Sequence, residues 1–271
     1  MDKRPIGVFD SGLGGLTAVR ELRRLLPGED IIYFGDTGRV PYGSRSKEIL
    51  IKYSRQDVAF LNTFDPKAIV IACGTVSSTA LEVLREENSI PVVGVVEPTA
   101  KVAAEHSKNG RIGLIGTEAT IRSGSYERAL AALRPDALPV KRACPLFVPL
   151  VENGRFRVGD AVAELVAAEY LADIKAAGVD TVILGCTHYP LLRGVIENFF
   201  GPDVRCIDSG GATARHVAEL LTQQDALNGR AGGGCCRYFV SDSTDGFARL
   251  AAVFLGEDVS GQVEQIDITA F

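Results

Sequence analysis

Short apolar runs alternate with amphipathic stretches along the chain, and this alternation limits the folds open to it. Strands that are buried on both faces read as continuous apolar runs, and helices between successive strands make those strands parallel. The runs lie at 6–9, 31–36, 68–73, 91–96, 111–116, 138–144, 180–186, 204–208 and 237–242. The pattern therefore predicts an α/β fold with a mostly parallel sheet.

A faint internal repeat predicts that the strands divide between two related halves. Segment 6–15 resembles 112–121, since each is a strand that ends in a polar turn containing glycine. Segment 69–78 resembles 182–191, since each is a buried strand that ends in a cysteine followed by a threonine within two residues. Two related α/β halves would explain both similarities.

We therefore expect two pseudo-symmetric parallel-sheet α/β domains, with the active site in the cleft between them. The first lobe is expected to comprise residues 1–97 plus 210–271, and the second lobe residues 98–209. A chain of 271 residues is long enough for two small domains. Open α/β folds bind ligands at the carboxyl ends of their strands, so each lobe would contribute one strand-end cysteine to the cleft.

Composition and charge exclude several classes of partner. Hydrophobic residues make up 46% of the chain, and 29 Lys and Arg against 34 Asp and Glu give a net charge of −5. A weakly acidic surface argues against nucleic acid as the main partner.

No apolar run approaches the ~18 residues of a membrane span, and no signal region is visible. We therefore expect a cytoplasmic location, where the six cysteines would be reduced.

Two cysteines, Cys73 and Cys186, share a context that favours chemistry. Each ends an apolar strand and precedes a helix start, where backbone N–H groups can stabilise a thiolate and lower its pKa. The alternative is that both are ordinary small core residues. His188 follows Cys186 by two residues, and an imidazole with a pKa of ~6.5 suits proton exchange with a thiol. The alternative for His188 is a histidine that only caps a helix. The other cysteines lack this context and are interpreted as structural: Cys144, Cys206, Cys235 and Cys236.

No metal ion or organic cofactor is predicted. The chain has no CxxC motif and only three histidines, which disfavours a zinc site. The glycine-rich turn at 10–15 favours anion binding, but it is neither GxGxxG nor followed by a Walker lysine. Asp10 in this turn is either a capping residue or a group that accepts a proton or holds a substrate ammonium. No lysine adjoins the cleft motifs, which disfavours a pyridoxal enzyme.

The polar loop at 36–46 is long for a connection between a strand and a helix. Tyr42 and Gly43 within it could bring a hydroxyl and a backbone N–H to the cleft. The alternative is a Pro-Tyr-Gly turn on the surface.

Several motifs together resemble those of the glutamate racemases, members of the aspartate/glutamate racemase superfamily. The motifs are DSGLGGLTAVREL, YFGDTGRVPYGSRS, VIACGTVSS, GVVEPT, IGTEATI, CPLFVPLVENG and LGCTHYPLL. The likeness extends from Ile6 to about Asp208, and GCTHYPL is its most discriminating part. The resemblance implies a cofactor-independent racemase in which Cys73 and Cys186 are the two acid/base residues.

The resemblance also implies a set of substrate-binding residues. Asp10 would assist Cys73, His188 would assist Cys186, and Glu152 would lie in a supporting position. The residues expected to line the substrate site are Asp10, Ser11, Tyr42, Gly43, Gly74, Thr75, Thr187 and His188. The family usually has Asn where this chain has Gly74, so an amide expected at the polar end of the substrate is missing.

The resemblance implies that the substrate is glutamate. It also implies that the D-glutamate formed is used for peptidoglycan. One alternative is a racemase or isomerase of the same superfamily that acts on another acid. Another is a non-catalytic, two-lobed protein that binds a metabolite. A homodimer is an option that the sequence leaves open.

Overall fold

The apolar runs form the strands of two parallel sheets in the computed structural model, which describes residues 1–271. The strands are β1 (Ile6–Asp10), β2 (Ile31–Gly35), β3 (Ala68–Ile71), β4 (Val92–Gly94), β5 (Arg111–Gly116), β6 (Leu138–Ala143), β7 (Thr181–Leu184), β8 (Arg205–Asp208), β9 (Cys236–Val240) and β10 (Val263–Gln265). Each predicted run coincides with one strand to within a few residues. The pattern missed β10, which has only three residues, two of them exposed.

Twelve α-helices connect or follow these strands. They are α1 (Leu16–Leu25), α2 (Lys47–Asn62), α3 (Gly74–Thr79), α4 (Leu81–Glu87), α5 (Val96–His106), α6 (Glu118–Ser123), α7 (Ser125–Leu133), α8 (Phe147–Glu152), α9 (Ala161–Ala176), α10 (Arg193–Phe200), α11 (Ser209–Gln223) and α12 (Thr244–Leu255). Short 3₁₀ helices lie at Thr37–Arg39, Tyr189–Leu192 and Ile268–Ala270. No helix is both long enough and apolar enough to span a membrane.

The same order of four strands occurs in both sheets. The first sheet has the order β10-β9-β2-β1-β3-β4, and the second has the order β6-β5-β7-β8. In the first sheet β1 pairs with β3, and Ile6 lies opposite Ala68 at the start of this pairing. In the second sheet β5 pairs with β7, and Ile112 lies opposite Thr181. The predicted fold class, two parallel-sheet α/β domains, is confirmed, and the paired strands are those of the internal repeat.

The chain enters the second sheet after β4 and returns to the first after β8. The first sheet takes its strands from 6–94 and 236–265, and the second takes its strands from 111–208. The residue limits of the two lobes, which lie between these strands, stay a prediction. The largest apolar cluster contains side chains of both sheets, including Val8 and Val182, so one hydrophobic core runs across the lobes.

A buried ion pair holds four segments of the first lobe together. Lys67 Nζ lies 2.5 Å from Glu29 Oε2, and both side chains are almost fully buried. The Lys67 ammonium also donates to the carbonyl oxygens of Asp2 and Ala226, at 2.9 and 2.8 Å. Glu29 Oε1 accepts the backbone N–H of Asn228 at 2.7 Å. These bonds compensate the loss of hydration of both charges.

We expect Lys67→Met to lower the free energy of unfolding by about 3–5 kcal/mol, because the Glu29 carboxylate would stay buried without its partner. Urea unfolding followed by circular dichroism measures this loss. The control is Lys141→Met, which breaks an exposed pair with Glu127 and should cost less than about 1 kcal/mol. Equal losses in the two variants would contradict the structural role of the buried pair.

Candidate active site

The carboxyl ends of β1 and β3 face those of β5 and β7 across a cavity of about 440 Å³. Parallel strands place the residues that follow them at one edge of the sheet, so the repeat brings two such edges together. The predicted site residues that line the cavity are Ser11, Tyr42, Gly43, Cys73, Gly74, Thr75, Glu152, Cys186, Thr187 and His188. Both predicted cysteines therefore open onto one cavity.

Two larger cavities, of about 1300 and 650 Å³, contain neither of these cysteines. Both are lined in part by α5 and share Pro98, Lys101 and His216. We place the candidate site in the smaller cavity, because its wall brings together two thiols, an imidazole and several hydroxyls. A set of groups that can act as nucleophile, base and acid in one concave site is what catalysis requires.

Cys73 lies at the amino end of α3 and is 4% exposed. Its Sγ donates to Ser11 Oγ at 3.4 Å. Burial and the nearby Asp10 carboxylate raise the pKa of the Cys73 thiol to about 12. The expectation that a helix start would lower this pKa is therefore wrong, because desolvation outweighs the short helix. Cys73 is a protonated thiol in the free protein.

Cys186 is 7% exposed and shares its side of the cavity with His188 and Glu152. His188 Nε2 lies 3.0 Å from Glu152 Oε1, and the imidazole packs edge-on against the ring of Phe254. Burial lowers the pKa of His188, but Cys186, Glu152 and Asp10 outweigh it and raise the pKa to about 10. The imidazole makes no helix-capping hydrogen bond, so the capping alternative does not describe it.

Asp10 does not line the cavity but lies fully buried behind its wall. Its carboxylate accepts the backbone N–H of Gly12 at 2.9 Å and the Thr187 hydroxyl at 3.5 Å. Burial raises the pKa of Asp10, although the charge of His188 acts in the opposite direction. Asp10 is thus hydrogen-bonded to Gly12 on one side of the cavity and to Thr187 on the other. Direct contact between Asp10 and a substrate stays a prediction.

Tyr42 lines the cavity, but its hydroxyl is bonded to carboxylates that do not line it. The hydroxyl donates to Asp36 and lies 3.3 Å from Asp57 Oδ2. Arg39 pairs with both carboxylates, at 2.6 Å from Asp36 and 2.9 Å from Asp57. The hydroxyl expected to reach the cleft is thus already bonded, and only the backbone of Tyr42 and Gly43 remains available there.

Thr117 is a cavity residue that sequence reasoning did not select. Its hydroxyl lies 3.0 Å from that of Thr75, so a hydroxyl pair bridges the two lobes. A main-chain hydrogen bond from Ala119 N to Gly43 O, 3.2 Å long, lies beside it. The internal repeat contained the signal, because aligning 6–15 with 112–121 places Thr117 opposite Ser11.

The four remaining cysteines lie outside this cavity. Cys144, Cys206, Cys235 and Cys236 are free and none lines the cavity. No group of three or more His, Cys, Asp or Glu side chains is arranged to hold a metal ion.

The Asp/Glu/Hydantoin racemase family model matches residues 20–217 of the chain. A glutamate racemase from Geobacter metallireducens is 49% identical over 270 residues, which cover 100% of this chain and 99% of that protein. The chain belongs to the Asp/Glu/Hydantoin racemase family. The family model includes β3 with Cys73 and β7 with Cys186, the two strand ends that meet at the cavity.

Solved structures of the family have the same fold. Glutamate racemase isoform RacE1 from Bacillus anthracis has a TM-score of 0.93 and 39% identity, with 98% of each chain covered. Glutamate racemase from Francisella tularensis, in complex with D-glutamate, has a TM-score of 0.92 and 35% identity over 100% of each chain. The predicted resemblance to the glutamate racemases is confirmed, and so is the predicted class of enzyme, an amino-acid racemase.

We expect Glu152→Gln to lower the pKa of His188 from about 10 toward the ordinary 6.5, because it removes the carboxylate that favours the imidazolium. An NMR titration of the labelled imidazole measures this pKa. The control is Glu118→Gln, which neutralises another acidic residue of the cavity wall that makes no bond to His188. A His188 titration that is the same in wild type and Glu152→Gln would contradict the ion pair.

Proposed function

We propose that the chain is a cofactor-independent glutamate racemase in which Cys73 and Cys186 exchange protons with Cα of the bound substrate. The observation that carries this proposal is that both thiols line one cavity of about 440 Å³ while belonging to different sheets. Thiols that enter from two lobes can face opposite sides of one small molecule. The internal repeat gives the physical reason for such an arrangement, because equivalent strand ends of the two halves meet there.

Racemisation removes the Cα proton from one face of the amino acid and returns a proton to the other face. One base on one side cannot do both without exchange or rotation, so two opposed groups are the direct solution. A positioned acid or base contributes roughly 10²–10⁴-fold to such a step. In our proposal Cys186 accepts the Cα proton while Cys73 donates its own proton to the opposite face. The two thiols exchange these roles in the reverse reaction.

The neighbours of each thiol support this assignment. Cys73 is protonated in the free protein, with a pKa of about 12, and it is therefore ready to act as the acid. The pKa of His188 is raised to about 10, so the ring is an imidazolium near neutral pH. This imidazolium lies beside Cys186 and can exchange a proton with it. Asp10 would assist Cys73 from behind the wall, and Glu152 would hold the His188 ring.

Glutamate is the proposed substrate because the relatives matched along the whole chain are named glutamate racemases, at 42–49% identity. The polar groups that could hold its carboxylates and the carbanion charge are hydroxyls and backbone N–H groups around the cavity. The hydroxyls belong to Ser11, Thr75, Thr117 and Thr187. Gly74 and Gly43 would contribute backbone N–H groups, in place of the side-chain amide that the family usually has at position 74.

The proposed role is the supply of D-glutamate for peptidoglycan in the cytoplasm. This role rests on the resemblance to the glutamate racemases. A reducing compartment suits the mechanism, because both thiols must stay reduced to exchange protons. We also propose that the protein forms a homodimer. The proposed first lobe comprises residues 1–97 plus 210–271, and the proposed second lobe comprises residues 98–209.

The test is incubation of the protein with L-glutamate in deuterated buffer, followed by chiral separation and mass measurement. The expected product is D-glutamate with one deuteron at Cα, because the proton that returns comes from a solvent-exchanged thiol. Turnover of another acid but not of glutamate would instead indicate a different substrate within the superfamily. Binding of glutamate without deuterium incorporation would favour a non-catalytic metabolite-binding protein.

We expect Cys73→Ser and Cys186→Ser each to lower kcat for racemisation by at least about 10²-fold, because each removes one of two positioned acid/base groups. The control is Cys206→Ser, a buried cysteine outside the cavity, which should retain wild-type kcat. Chiral analysis in both directions measures kcat, and thermal unfolding checks each fold. A single cysteine variant with near-wild-type racemisation would contradict the two-base assignment.

A further inference from the structure

The turn that follows β1 is anchored by a buried hydroxyl of the neighbouring strand. Tyr33 lies in the middle of β2 and is fully buried, and its hydroxyl donates to the carbonyl oxygen of Gly12 at 2.9 Å. The N–H of Gly12 donates to Asp10 Oδ2, also at 2.9 Å. Both hydrogen-bonding groups of the Gly12 main chain are therefore bound, one by the end of β1 and one by β2.

This turn carries the hydroxyl that contacts one of the cavity thiols. Ser11 directly precedes Gly12, and both residues line the cavity. Cys73 Sγ donates to Ser11 Oγ at 3.4 Å. A serine hydroxyl is also a donor, so it can turn toward a Cys73 thiolate and stabilise it. Burial and the Asp10 charge raise the pKa of Cys73, and the Ser11 bond acts against them. The position of the turn therefore affects how readily Cys73 loses its proton.

The Tyr33 ring is fixed by its packing, so its hydroxyl has a defined place. The centroid of this ring lies 6.3 Å from that of Tyr238 and 6.0 Å from that of Phe247. Burial and the nearby Asp10 and Cys73 charges raise the pKa of Tyr33 well above its ordinary value, so the hydroxyl stays protonated and remains a donor. Tyr33 does not line the cavity, and its hydroxyl acts on the site through the turn that it holds.

We propose that Tyr33 is a positioning residue whose hydroxyl holds the Gly12 carbonyl and so keeps Ser11 within hydrogen-bond distance of the Cys73 thiol. This inference rests on the proposed two-cysteine racemase. Without the Tyr33 hydroxyl the turn loses one of its two anchors. The Ser11 hydroxyl then no longer stays where it can donate to a Cys73 thiolate, and proton transfer at Cys73 slows.

Tyr33→Phe is a narrow substitution, because it removes one oxygen and keeps the ring in its packing. Gly12 O is left buried without its donor, which is unfavourable. The turn therefore shifts until this carbonyl finds another donor or water. Since Ser11 and Gly12 share a peptide bond, the shift moves Ser11 with it.

The experiment is a double-mutant cycle on Tyr33→Phe and Ser11→Ala, with Tyr238→Phe as the matched control. Tyr238 lies opposite Tyr33 on β9 and is 1% exposed, and its hydroxyl makes no hydrogen bond to the turn. Two quantities are measured for the wild type and each variant. The first is kcat for racemisation of glutamate. The second is the rate at which iodoacetamide alkylates Cys73 and Cys186, from peptide mass mapping.

We expect Tyr33→Phe to lower kcat by about tenfold, because small misplacements of reacting groups are costly. The double variant should have a kcat within about twofold of Ser11→Ala alone, since both substitutions remove the same contact and their effects do not add. Alkylation of Cys73 should slow by a similar factor in both single variants, because the thiolate loses a donor. Alkylation of Cys186 should be unchanged, and Tyr238→Phe should match the wild type in both measurements.

Three results would overturn the proposal. The first is a Tyr33→Phe variant with wild-type kcat and wild-type alkylation of Cys73. The second is a double variant whose loss of kcat is the product of the two single losses, which would show that Tyr33 acts independently of Ser11. The third is an equal loss in Tyr238→Phe, which would point to a general effect of the sheet. If the wild type itself does not racemise glutamate, the proposed function fails, and the alkylation of Cys73 alone decides whether Tyr33 positions Ser11.

Discussion

The approach of the two sheets at the carboxyl ends of β1, β3, β5 and β7 is the constraint on which the rest of the site depends. Each of these strands delivers a polar or reactive residue to the edge of its sheet, and the facing edges enclose one cavity. The lobes approach closely at this point because glycines and small hydroxyl side chains line the contact. One hydrophobic core that runs across both lobes supports the same arrangement.

Enclosure changes the acid–base properties of Cys73, Asp10 and His188 at this junction. Loss of water raises the pKa of Cys73 and of Asp10, since both would otherwise carry a buried negative charge. The same loss of water acts against the His188 imidazolium, but the negative partners around it prevail. The two thiols thus lie in unlike surroundings, one beside a carboxylate and one beside an imidazolium. This difference suits a pair in which one group donates a proton and the other accepts one.

A polar cluster of Asp36, Arg39, Tyr42 and Asp57 fixes the loop at 36–46. Part of this loop forms another wall of the cavity. Asp36 and Asp57 lie together in the interior, and burial together with the Asp36 charge raises the pKa of Asp57 well above its ordinary value. Arg39 and the Tyr42 hydroxyl bind both carboxyl groups, and Ser241 donates to Asp36 at 2.7 Å. The Tyr42 hydroxyl therefore stabilises the loop, and the adjoining backbone is presented to the cavity.

The sequence by itself determined the strands, the two-sheet fold and the two cysteines at equivalent strand ends, because these follow from local hydrophobic patterns and from the repeat. Only the tertiary structure decided what surrounds them. Asp10 lies behind the cavity wall, the Tyr42 hydroxyl turns inward, and the pKa of Cys73 rises where a helix start alone would lower it. It also placed Gly74 against the opposite lobe. These features depend on desolvation and on tertiary contacts, some of which, such as Asp10 with Thr187 and Gly74 with Gly185, join residues more than 100 positions apart. Neither leaves a local pattern in the chain.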